Sequence, residues 1–164
     1  MKKFLVFISL FLGIIYAYAQ ELPNLKNVKL NKKSSYVETE PLVLKVIDYL
    51  YATPIEKKNA SRTEAGQFLL KWMNGTPDHT FYLEEKQTNF FNTDSDLMLI
   101  YMASLTKFVL QNPTAKDQKT LVLGSMGLAL PYLMKQENKK TWSKELVQLV
   151  AANQKGELEK YLYP

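Results

Sequence analysis

Cysteine is absent from this chain, and histidine and arginine occur once each, as His79 and Arg62. Without thiols there is no disulfide, no thiolate nucleophile and no thiolate metal site. One histidine plus carboxylates is a poor donor set for tetrahedral zinc, so neither a metal nor another cofactor is expected. A single arginine among 21 basic residues argues against nucleic acid as a partner, because phosphates and base edges are read largely by the planar arginine fork. The only glycine-flanked serine, in Gly124-Ser125-Met126-Gly127, lacks the G-x-S-x-G spacing of a nucleophile elbow.

Long apolar runs are scarce as well. One stands at the very start, where Lys2 and Lys3 precede an almost unbroken stretch from Phe4 to Tyr16, followed by Ala17-Tyr18-Ala19. A basic start, a short apolar core and an A-x-A exit make a secretory signal peptide over residues 1–19, cleaved between Ala19 and Gln20. The run falls short of the roughly 20 residues that span a bilayer, so no transmembrane segment is expected in the mature chain. A cysteine-free exported chain fits a bacterial periplasmic or secreted protein, and such a domain must stand on its own core.

The formal charge of +5 dissolves when it is followed along the sequence. Two lysines leave with the signal peptide. Residues 20–36 carry Lys26, Lys29, Lys32 and Lys33 against Glu21 alone, and the remainder balances. Residues 20–36 therefore read as a flexible basic leader, and residues 37–164 as a single, nearly neutral helical domain.

Apolar periodicity predicts an all-α fold of about five helices, in a compact bundle or as stacked helical hairpins. Val43, Val46, Ile47 and Leu50 mark a first stripe after Thr39 and Pro41. Ser61 and Glu64 form a capping box for a second helix, with Ala65, Phe68, Leu69, Trp72 and Met73 on one face and Gly75 and Pro77 at its end. A third runs from Leu97 to Val109, capped from within Asn92–Asp96. Residues 121–134, apolar nearly all round, read as the central helix, with Leu128 deeply buried. Gly124, Ser125 and Gly127 favour close helix approach there, and Pro131 a kink or restart. Thr141 opens the last long helix, whose inward residues are Trp142, Leu146, Leu149 and Val150.

The one long connection, residues 76–96, holds the only hints of function. Thr80–Leu83 alternates and is β-prone, and Thr88–Phe91 could pair with it as a small β-hairpin in the 80–91 loop. Phe81, Tyr82, Phe90 and Phe91 make the loop rich in rings, and these are the candidate residues for binding a protein, peptide or apolar ligand in the cell envelope. The competing reading makes the same rings a satellite core. Asp78 and His79 are adjacent, so in an extended segment they point to opposite faces and cannot form an acid–base pair. Thr76-Pro77-Asp78-His79 reads as turn chemistry, with Asp78 bonding its own backbone. Asn92, Asp94 and Asp96 imitate the start of a calcium loop, but Leu97 and Ala103 stand where glycine and a bidentate glutamate are needed. The resulting expectation is an exported, non-enzymatic binding module, with a small exported hydrolase using carboxylates or His79 as the alternative.

Overall fold

The computed structural model describes residues 21–56, 58–135 and 142–164; the expected signal peptide and the Ala19–Gln20 junction lie outside them. The described residues form eight helices: α1 (Lys33–Glu38), α2 (Glu40–Ala52), α3 (Ala60–Gly75), α4 (Glu85–Thr88), α5 (Ser95–Gln111), α6 (Gln118–Lys135), α7 (Lys144–Gln154) and α8 (Leu158–Leu162). The all-α class holds. The count of about five is exceeded: besides the long α2, α3, α5, α6 and α7, short helices form in the N-terminal segment (α1), in the connection before α5 (α4) and near the C-terminus (α8).

The expected β-hairpin does not form, and no strand occurs among the described residues. Residues 85–88 instead close one helical turn, in which Gln87 and Thr88 donate main-chain bonds to the carbonyl of Glu84. The turn carries Phe91 inward, where its ring stacks on Tyr101 with centroids 4.7 Å apart. Burying that ring outweighs the local β preference of Thr88–Phe91.

Helix boundaries follow their caps. Thr39 does not cap α2 with its side chain; it closes α1, donating to the carbonyls of Ser35 (2.7 Å) and Tyr36 (3.0 Å). Asn59, two residues ahead of the expected Ser61, accepts from the Arg62 N–H and starts α3. Asp94 caps α5, accepting from Asp96 N at 2.7 Å. Asp117 accepts from both the N–H and the hydroxyl of Thr120 ahead of α6. Ser143 caps α7, and the expected opening residue, Thr141, lies outside the described residues.

Helices α2 with α3, and α5 with α6, pack as two helical hairpins that meet through α5. The predicted stripes of α2 and α3 are buried as read. The centre, however, is α5 and not α6. Helix α5 packs on α2, α3 and α6, and its buried face includes Ile100, Ala103, Ser104 and Thr106. Each buried hydroxyl returns its proton to the carbonyl four residues back, Ser104 to Ile100 (2.7 Å) and Thr106 to Met102 (2.9 Å), so their burial leaves no donor unsatisfied.

Helix α6 keeps a wet side. Gly127 and Pro131 are exposed and Leu128 is only half-buried, while Met126, Ala129, Leu130 and Leu133 fill the core. The helix runs on through Pro131, whose missing N–H would have served the carbonyl of Gly127. Both positions face water, which satisfies that carbonyl. Of the three small residues, Gly124 is the one that serves close packing: a Cβ there would strike the Phe108 ring.

Of residues 20–36, read as a flexible leader, the described ones, 21–36, lie against the body. Leu25 is buried, and Leu22, Val28, Leu30 and Tyr36 pack on the core. Their apolar spacing is irregular because the segment before α1 is not helical, so periodicity could not reveal them.

Candidate functional site

The segment after α3 from His79 to Glu84 belongs to no helix or strand. His79 and Phe81 turn inward and are half-buried, whereas Thr80 and Tyr82 are exposed. The inward pair joins an aromatic cluster: the His79 and Phe81 rings lie 5.8 and 6.4 Å from Trp72, centroid to centroid. The β-prone segment seen in the sequence thus forms no strand, and inward and outward residues alternate only from His79 to Tyr82.

Its main chain is correspondingly open. Among the described residues no N–H from His79 to Leu83 has a protein acceptor, and the carbonyl of Tyr82 takes a weak 3.4 Å bond from Gln118 Nε2. Two adjoining cavities share Tyr82 and Lys116 in their walls. One, of about 280 Å3, runs between His79, Thr80 and the loop leading into α6. The other, of about 370 Å3, lies by Leu83, Glu84 and Gln118. Tyr82 stands between them at 66% exposure, with Leu83 beside it at 41%. Val37, Val147 and Tyr161 are the other large hydrophobic side chains exposed among the described residues.

The charges around this groove are mostly occupied. Asp78 pairs with Lys33 of α1 at 2.8 Å rather than with its own backbone. Asp117 is held below the usual carboxylate range, first by the Thr120 hydroxyl and then by main-chain donors of the same turn. Lys116 has no ion-pair partner among the described residues and faces both cavities.

The four candidate rings divide. Phe90 is 9% exposed and Phe91 fully buried; they pack against Tyr161 and Tyr101 and present no face to a partner. That half of the site is corrected to core. Phe81 packs inward beside Trp72 and lines neither cavity, and of the four rings Tyr82 alone projects. Sequence reasoning missed Lys116 and Glu40, which come from distant segments.

Glu40 matters because it supplies what Asp78 could not. Its Oε1 lies 2.9 Å from His79 Nε2, so the histidine has a carboxylate orienting it after all. The pair bridges the start of α2 and the segment after α3, with His79 mostly covered and Glu40 about one-third exposed. A nucleophile in register with it is not evident, and no group of three or more potential metal ligands occurs among the described residues. No helix there is long and apolar enough to cross a membrane. Compared with protein-family models, curated proteins and solved structures, the chain matches none.

Proposed function

We propose that this is an exported, non-enzymatic binding module that takes an extended segment of a partner protein along residues 79–84. The observation that carries this reading is the run of open main-chain groups from His79 to Leu83 beside exposed Tyr82 and Leu83. Main-chain groups left open over several residues give an incoming strand its hydrogen bonds, and alternate side-chain positions give selectivity. Tyr82 supplies the kind of amphipathic anchor that dominates binding energies. Export rests on the N-terminal pattern of residues 1–19.

A photo-crosslinking residue placed at position 82 tests the reading in cells that make the protein. A defined adduct that forms from position 82, is absent from the exposed control position Val147, and disappears when Thr80→Pro disrupts the segment supports it. Equal adducts from both positions would reject it. N-terminal sequencing of the exported chain checks the Ala19–Gln20 cleavage separately.

The oriented His79–Glu40 pair beside a cavity favours a second reading, the small hydrolase with His79 as general base. It ranks below the first because the open main chain and exposed Tyr82 bear directly on partner binding, whereas the His79–Glu40 pair alone defines no reaction.

A further inference from the structure

Between Thr76, which donates to the Trp72 carbonyl, and Glu84, whose carbonyl opens α4, residues 77–83 make no main-chain to main-chain hydrogen bond among the described residues. Side chains hold the segment instead, and their polar contacts converge on residues 33–40. Lys33, at the start of α1, reaches Asp78 Oδ1 at 2.8 Å, and Glu40, at the start of α2, lies 2.9 Å from His79 Nε2. Between these two in sequence, the Tyr36 carbonyl accepts from the Trp72 indole, whose ring lies against those of His79 and Phe81. The Thr39 hydroxyl donates to the carbonyls of Ser35 and Tyr36 and closes the joint between α1 and α2, so Lys33 and Glu40 sit on one ordered piece. Gln118 adds only the weak bond at Tyr82.

The two outer contacts are solvated and the central one is not. The Lys33 and Asp78 side chains are 70% and 35% exposed and that of Glu40 30%, whereas Trp72 is fully buried. Solvated pairs of this kind are individually weak, and salt screens those between charges. They nevertheless grip adjacent residues, Asp78 and His79. With no main-chain bonds to break, a segment held in this way moves readily once both contacts are gone. We propose that Lys33 and Glu40 are redundant positioning residues for partner capture: either one keeps residues 78–80 in the capturing posture, and losing both releases them. The proposal rests on the reading of residues 79–84 as the binding segment. Redundancy means that His79→Ala alone leaves the segment held through Asp78.

Neither Lys33 nor Glu40 lines the two cavities of the groove, so both can be removed without touching the binding surface. The test compares Lys33→Ala, Glu40→Ala and the double variant in the full chain. Amide relaxation is read on the purified protein, and the yield of the position-82 photo-adduct is read in cells. Each single variant should keep the adduct yield within about twofold of the parent, and the double should lose about tenfold, the combined scale of two solvated pairs. In the double, fast motion should rise at residues 78–80 and stay at parental values in α2, α3 and α5. Lys33→Arg combined with Glu40→Ala keeps the first contact and should capture as Glu40→Ala does. Raising salt from about 0.1 M to about 1 M should mobilise residues 78–80 in Glu40→Ala, which relies on the Lys33–Asp78 charges, and change nothing in the double. A double variant with parental relaxation, or one whose segment loosens while the adduct yield holds, overturns the proposal. So does motion that spreads through α2 and α3, the mark of a merely structural contact. A parent that forms no adduct specific to position 82 fails the binding reading and takes this proposal with it, a result distinct from a double variant that captures normally.

Discussion

The indole Nε1 of Trp72 donates to the main-chain carbonyl of Tyr36 at 3.0 Å, tying the middle of the fold to the end of the N-terminal segment. Tyr36 in turn donates to the carbonyl of Leu30 and lies so close over Gly75 that a Cβ at that glycine would strike its phenol. Lys33 reaches Asp78 in the same region. Together with buried Leu25, these contacts dock residues 21–38 onto α3 and the turn that follows it.

Deleting residues 21–32 is therefore expected to lower the thermal midpoint by about 10 °C, the consequence of losing roughly 3 kcal/mol from a domain of this size. Trp72→Phe, which strands the Tyr36 carbonyl, should cost about 1–3 kcal/mol in denaturant melts. An unchanged midpoint after the deletion would show that the segment is dispensable.

The placement of α5 at the centre separates two leucines on α6 that the sequence treats alike. Leu130 is fully buried, and Leu130→Ala should cost about 2–5 kcal/mol. Leu128 is half-buried on the wetter side of the helix, and Leu128→Ala should cost under about 1.5 kcal/mol. Urea melts of the two variants decide it; equal losses would place α6 at the centre after all.

What was legible in the sequence is what local patterns encode. Helices α2 and α3 carry one apolar stripe each, and both stripes are buried where periodicity put them. The centre was misassigned because Ser104 and Thr106 are polar in composition yet satisfied within their own helix, so hydropathy undercounts the buried face of α5. Glu40 and His79 are 39 residues apart, and Arg62 and Asp96 34 apart. No local rule pairs residues at such separations. The β-prone pattern misled: Thr80–Leu83 forms no strand, and its supposed partner found a better ring to pack on in Tyr101.

Buried tyrosines set the alkaline limit of the fold. Burial pushes the Tyr51 hydroxyl up to about 12, against a smaller opposing effect of its hydrogen bond with Ser104. Burial likewise raises Tyr101 and Tyr132. An unfolded tyrosine loses its proton near about pH 10. Above that pH the unfolded chain binds fewer protons than the folded one, so stability falls as pH rises, and it falls until the folded groups also ionise. Urea midpoints should be flat near about pH 8 and decline beyond about pH 10. Tyr51→Phe removes one such group and should make the alkaline decline shallower; an unaltered slope would show that Tyr51 ionises normally.

The four rings of the long connection give the last test, because the fold assigns them opposite duties. Phe91 stacks on Tyr101 with no exposed surface, so Phe91→Ala should cost about 3–5 kcal/mol and affect capture only through unfolding. Tyr82 projects into solvent, so Tyr82→Ala should change stability by less than about 0.5 kcal/mol. It should nevertheless weaken partner capture by about thirtyfold, the effect of losing one aromatic anchor. His79→Ala breaks a partly solvated pair with Glu40, worth at most about 1 kcal/mol, and should leave capture intact. Stability and capture measured on the same three variants separate the duties. If Tyr82→Ala captures as well as the parent, the segment is not the recognition face. If His79→Ala alone abolishes a measurable hydrolysis, the oriented His79–Glu40 pair is the working part, and the groove serves a substrate.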